Sequence, residues 1–181
     1  MARLRGMMAS SLDGFAAEAG GGVGFLDDFD GVDWGYDAFI AGIGTVVMGR
    51  RTYEHMLDLA PDWPYPGKRG IVVSRSLTGP LRGDAEVWSG ELPDLVAKLR
   101  DRADGDVWIV GGPMLQSALI AMGALDRLEL CIVPCILGTG IRTFPPSAAG
   151  PRQPELTAVK EYRKGLVILD YRFGTEGGRG R

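Results

Sequence analysis

Cysteine and histidine are nearly missing from this chain, with two of the first and one of the second. So few soft ligands exclude a zinc centre of the usual four-donor kind. Cys131 and Cys135 fall in one apolar run, where alternate strand positions turn both to the same face. A disulfide there would need strained geometry, so both read as core thiols. Excess positive charge is missing too, since 20 Lys and Arg face 23 Asp and Glu for a net charge of −3. Without a polybasic run the electrostatic footprint of a nucleic-acid partner is absent. Although 45% of the residues are hydrophobic, no uninterrupted apolar stretch is long enough to span a bilayer, so no membrane partner is expected. The first residues carry the positive charge of a secretory leader, but Ser10, Ser11 and Asp13 break the apolar core that should follow. A cytoplasmic protein is expected.

Two nucleotide-binding fingerprints are also lacking. Ala19-Gly20-Gly21-Gly22-Val23-Gly24 has no Gly-Lys-Ser/Thr ending, so the lysine and metal-binding hydroxyl of a P-loop are not supplied. It reads as a mobile loop and a candidate lid. No three-glycine fingerprint follows the first strand, which disfavours an ordinary Rossmann domain.

What the chain does have is an alternation of strand-like and helix-like segments over 181 residues, the size of one domain. Strands are expected at 4–11, 45–48, 70–74, 85–88, 106–110 and 125–134, and helices at 34–43, 51–59, 92–102 and 113–122. That order predicts an α/β domain with a mostly parallel sheet. Residues 155–162 and 166–173 then form two strand-like runs around Arg163-Lys164-Gly165, a C-terminal antiparallel hairpin closing one edge. The domain is taken as 1–173, and the glycine-rich stretch 174–181 as a disordered tail.

Two strand-to-helix junctions carry the chemistry. Thr45-Val46-Val47-Met48 runs into Gly49-Arg50-Arg51-Thr52, and Val107-Trp108-Ile109-Val110 runs into Gly111-Gly112-Pro113. Glycine lets the backbone approach a ligand closely, proline suits a first helical position, and helix N-termini favour anions. Two such turns suit one extended, multiply charged ligand such as a dinucleotide.

These segments, with Ser11-Leu12-Asp13-Gly14-Phe15 and Val72-Val73-Ser74-Arg75-Ser76, resemble the dihydrofolate reductase superfamily, in the branch of the riboflavin-biosynthesis reductase domain. The resemblance implies a dihydrofolate-reductase-like three-layer fold and an NADPH-dependent reductase of a small, heterocyclic substrate. It places Gly49, Arg50, Arg51 and Thr52 on the phosphates, with Ser74, Arg75 and Ser76 completing a 2′-phosphate pocket. Guanidinium forks and hydroxyls suit that task. By the same likeness Gly111 and Gly112 accommodate the pyrophosphate, Met114 and Leu115 flank it, and Ala9 and Ala16 lie beside the nicotinamide. No acidic residue is expected where a free 2′-hydroxyl would bind, which favours NADPH over NADH.

Position in the family pattern makes Asp33 the candidate catalytic carboxylate, partly buried and orienting an amide-like ring, with Asp37 the alternative and a helix N-cap the structural reading of Asp33. Asp13 is a candidate turn residue. The segment Gly138 to Ile141 is placed near the nicotinamide and, by the resemblance, in a homodimer contact. Trp34, Trp63, Tyr65 and Phe25 are candidate walls of an aromatic pocket, against core packing. The stretch Met7-Met8-Ala9-Ser10-Ser11 lacks the lysine of the riboflavin branch, and no arginine for a folate glutamate is evident, so neither named substrate is expected. A protein that binds NADPH without turnover, as a sensor or store, is the alternative.

Overall fold

Leu4, Val46, Val47, Ile71, Val107 and Ile109 have no exposed surface, and they come from four short apolar runs lying side by side in one sheet. Parallel strands covered on both faces are apolar along their whole length, because both sides of the pleat are buried. In the computed structural model, which describes residues 1–60, 62–147 and 150–174, the elements run β1 (Leu4–Ser11), β2 (Phe15–Ala17), α1 (Tyr36–Ala41), β3 (Ile43–Gly49), α2 (Arg50–Leu59), β4 (Arg69–Val73) and β5 (Ala85–Trp88). They continue as α3 (Leu92–Arg100), β6 (Asp106–Gly111), α4 (Pro113–Ala121), β7 (Arg127–Val133), β8 (Ile141–Arg142), β9 (Glu155–Glu161) and β10 (Val167–Arg172).

Eight strands form one sheet in the order β5-β4-β3-β6-β1-β7-β10-β9, and β2 pairs with β8 in a small separate sheet. The pairs from β5 to β7 are parallel, whereas β10 runs antiparallel to both β7 and β9. The fold is the expected dihydrofolate-reductase-like α/β arrangement with its C-terminal hairpin. One core packs α3 and α4, through Leu95, Leu99, Leu115 and Leu119, on the sheet. The second packs Phe39 of α1 and Tyr53 of α2 on the opposite face, with Val46, Met48, Val72 and Trp108. Among the described residues no helix is long and apolar enough to cross a membrane.

Several expectations need correction. The first helix, expected over 34–43, covers only Tyr36–Ala41, because Gly35 at φ 86° opens it and Ile43 already belongs to β3. Gly35 is therefore the N-cap. Asp33 lies two residues upstream, where its Oδ1 accepts the Gly35 N–H at 2.9 Å in a local turn. Cys131 sits in β7, but that strand ends at Val133, so Cys135 lies beyond it and the two do not share a strand face. Both thiols are free and half-buried. The glycine loop after β2 is closed by bonds from Glu18 N–H to the Gly22 carbonyl and from Gly21 N–H to the Glu18 carbonyl, each 2.9 Å. Of the tail expected to be disordered, 175–181 lies outside the described residues.

Candidate active site

Strands β4, β3, β6, β1 and β7 all present their carboxyl ends along one rim of the sheet, where open α/β sheets bind ligands. Register puts Gly49 opposite Val73 and Met48 opposite Gly111. The two glycine junctions and Ser74 are thus neighbours. A Cβ on Gly49 would lie 3.9 Å from the Gly112 nitrogen, and one on Gly112 would lie 3.1 Å from Thr52 Oγ1. Gly111 has φ 141°, which a residue with a side chain rarely adopts. The N-termini of α2 and α4 therefore meet in one glycine-lined cradle, tightest at Gly112. Neither helix has a side-chain cap, so the first-turn N–H groups point outward without a side-chain acceptor.

The flanking side chains differ in how committed they are. Arg50 Nη1 lies 3.7 Å from Glu54 Oε1 along α2, and Arg75 Nη2 lies 2.7 Å from Glu91 Oε1. These pairs are largely exposed and cost little to open. Glu91 is an acidic group that the sequence did not place beside Arg75. Ser74 is buried, and its Oγ accepts the N–H groups of Ser76 at 3.2 Å and Leu77 at 2.9 Å. It shapes the turn and keeps its own proton to donate. Met114 stands out at the first turn of α4, whereas Leu115 is buried in the core and anchors that turn from below. Ala9 pairs with Cys131 across β1 and β7, and Ala16 lies in β2.

A cleft of about 410 Å³ opens beside α1, lined by Asp33, Trp34, Phe39, Met7, Glu129, Lys160 and Tyr162 among others. Its floor is ionic. Arg5 Nη2 bonds Glu129 Oε2 at 2.8 Å, lies 3.5 Å from Asp106 through Nη1, and stacks 4.7 Å over the Phe39 ring. Arg127 pairs with the buried Asp170. The carboxylate expected to be partly buried is otherwise: Asp33 is exposed at the rim, and the buried carboxylates of the floor are Glu129 and Asp170. Asp37 is not among the lining residues. Tyr162 donates to the Trp34 carbonyl at 3.2 Å, and burial first, then the charge of Asp33, pushes its hydroxyl pKa up. The sequence signal for this missed network was present in alternation, since Arg127 and Glu129 share one face of β7 while Leu128 and Leu130 face the core.

Trp63 and Tyr65 do not wall this cleft. Tyr65 stacks edge-on between Trp63 and Trp108, both at 5.4 Å, inside the second core. Phe25 packs against the same core, and Trp34 alone of the four reaches the cleft.

A family model described as the RibD C-terminal domain matches residues 4–168. The uncharacterized protein YwjB of Bacillus subtilis (strain 168) is 33% identical over 138 residues, which cover 76% of this chain and 79% of that protein. YyaP of the same organism is 27% identical over 150 residues, covering 76% and 77%. Among solved structures, a protein of Shewanella sp. PV-4 named for riboflavin biosynthesis matches with a TM-score of 0.86 at 24% identity, over 97% of this chain and 100% of that one. Dihydrofolate reductase of Enterococcus faecalis, complexed with NADP(H), matches with a TM-score of 0.62 at 19% identity, over 96% of this chain and 97% of that one. At these identities the likeness to the solved structures is one of fold.

Proposed function

This chain belongs to the RibD C-terminal domain family, and from that premise we propose that it is an NADPH-dependent reductase of a small heterocyclic substrate. The observation that carries the reading is the shared glycine cradle of α2 and α4, where an added Cβ on Gly112 would meet Thr52 Oγ1 at 3.1 Å. A diphosphate fits such a place, because uncapped N–H groups and two helix dipoles converge there and no side chain fills it. Thr52 adds a hydroxyl donor. Arg50, Arg51, Arg75, Ser74 and Ser76 stand on the β3 and β4 side, where a 2′-phosphate would exchange surface carboxylates for itself at Arg50 and Arg75. Ala9 and Ala16 leave room for a flat ring at the other end.

When bound, NADPH supplies the hydride. The chain's own residues bind and orient. Asp33 is the proposed acceptor for a ring N–H, with Trp34 beside it and Tyr162 fixed by its bond to the Trp34 carbonyl. The floor of paired charges resists rearrangement, so an uncharged heterocycle would meet a fixed polar surface. A homodimer in the cytoplasm completes the reading.

Titration calorimetry with NADPH and NADH tests it. Wild-type protein should prefer NADPH, and Arg50→Ala should weaken NADPH about tenfold, the worth of one charged hydrogen bond, while leaving NADH nearly unchanged. Absence of binding to either nucleotide would sink the proposal. Binding without oxidation of NADPH across a panel of pterins, pyrimidines and flavin precursors would favour the sensor or storage role.

A further inference from the structure

Beyond the phosphate cradle, the carboxyl ends of β1 and β7 are tied together by bonds that belong to neither strand ladder. Ser11 Oγ donates to Asp13 Oδ1 at 2.6 Å, the Leu137 N–H donates to the same oxygen at 3.1 Å, and the Gly138 N–H donates to Oδ2 at 2.7 Å. Ser11 Oγ in turn accepts the Phe15 N–H at 2.9 Å. Around this centre, Leu12 N–H reaches the Cys135 carbonyl at 2.8 Å, Thr143 N–H reaches the Gly14 carbonyl at 2.9 Å, and the buried hydroxyls of Ser10 and Thr143 meet at 2.8 Å. The β2–β8 ladder continues the seam. Two segments far apart in sequence are thereby one body, and a single carboxylate holds its middle.

We propose that Asp13 is a positioning residue of the cofactor site, setting the two turns that frame the nicotinamide end without touching the ring itself. The inference rests on the NADPH reading. It follows from the strand order, because the phosphate-holding features occupy the ends of β4, β3 and β6, and an extended dinucleotide that continues along the rim next meets β1 and β7. Ala9 and Ala16 flank Asp13 in sequence on either side of this turn, so moving the turn moves both. Three donors converge on the Asp13 carboxylate, more than an ordinary turn aspartate needs. The Ser11 hydroxyl, chiefly, holds its carboxyl below the usual 3.8, so the acceptor stays charged in neutral solution.

The test compares NADPH with 2′-phospho-ADP-ribose, which keeps every phosphate and lacks the nicotinamide, on wild-type protein, Asp13→Asn and Ser11→Ala. An asparagine in place of Asp13 keeps the shape but turns an N–H pair against backbone donors. Calorimetry should show NADPH weakened about tenfold in Asp13→Asn, the scale of one charge-assisted bond, with the fragment bound as before. Amide exchange at Leu137 and Gly138 should accelerate in the same variant. Equal losses for both ligands, or no loss for NADPH, would overturn the positioning role while leaving the cofactor reading intact. Should Asp13→Asn not fold, Ser11→Ala carries the same comparison with a smaller loss. Wild-type protein that binds neither ligand would instead overturn the reading beneath it, and the role of Asp13 with it.

Discussion

A single methyl group at residue 112 would decide whether two helix termini can share one ligand. Gly112 has φ −82° and ψ −174°, a pair of angles open to a residue with a side chain. The obstacle is Thr52 Oγ1, 3.1 Å from the added Cβ. Gly112→Ala should therefore cost no more than about 1 kcal/mol of stability, the low end for overpacking, yet weaken NADPH about tenfold or more by filling the cradle. Denaturant unfolding beside calorimetry would check both, and unchanged affinity would contradict the cradle. The glycines themselves were legible in the sequence, since each closes an apolar strand. Their contact across β3 and β6 was not, because it depends on which strands pair.

Elements divide by how strongly their own pattern speaks. Helix α3 shows Leu95 and Leu99 at helical spacing, and both are buried, Leu99 with 0% exposure. Leu99→Ala should lower the unfolding free energy by about 3 kcal/mol, within the usual range for a buried leucine. A lower denaturant midpoint with an unchanged slope would show it, and a shift under about 1 kcal/mol would mean the core collapses around the gap. Strands β1 and β5 begin and end at the expected residues, 4–11 and 85–88. Helix α1 does not, because Gly35 and the start of β3 cut it to six residues. The strands β2 and β8, with three and two residues, are too short to carry a period at all. They pair with each other just beyond the turns that Asp13 bonds together.

At the scale of the molecule, paired charges and a half-buried thiol shape stability against pH. Burial pushes the Asp106 carboxyl up, but its bonds to Arg3 outweigh this and leave its pKa below the usual 3.8. Asp104 is lowered likewise, chiefly by its bond to Arg102. A group with a folded pKa below its unfolded one stabilises above the unfolded value and loses that contribution as pH falls through the folded value. The protein should therefore weaken progressively below about pH 4. Cys131 has the opposite sign, since burial pushes its thiol from 9.0 up to about 11. The folded state keeps that proton, so the contribution is full below 9.0 and is lost as pH rises towards about 11. Urea unfolding across pH should show a plateau with both falls, and Cys131→Ala should flatten the alkaline one. An identical alkaline fall in that variant would refute the assignment.

By itself the sequence determined the run of strands and helices, the hairpin at the end, the two glycine junctions and the family pattern, because apolar period and turn chemistry are local properties. Only the tertiary structure decided that the junctions meet, that Glu91 stands beside Arg75, that Glu129 and Asp170 are buried while Asp33 is exposed, and that Asp13 bonds backbone groups 124 and 125 residues away. Those facts depend on strand order and register. Hydrogen bonds and ion pairs between distant residues acquire their geometry only when the sheet has brought the residues together.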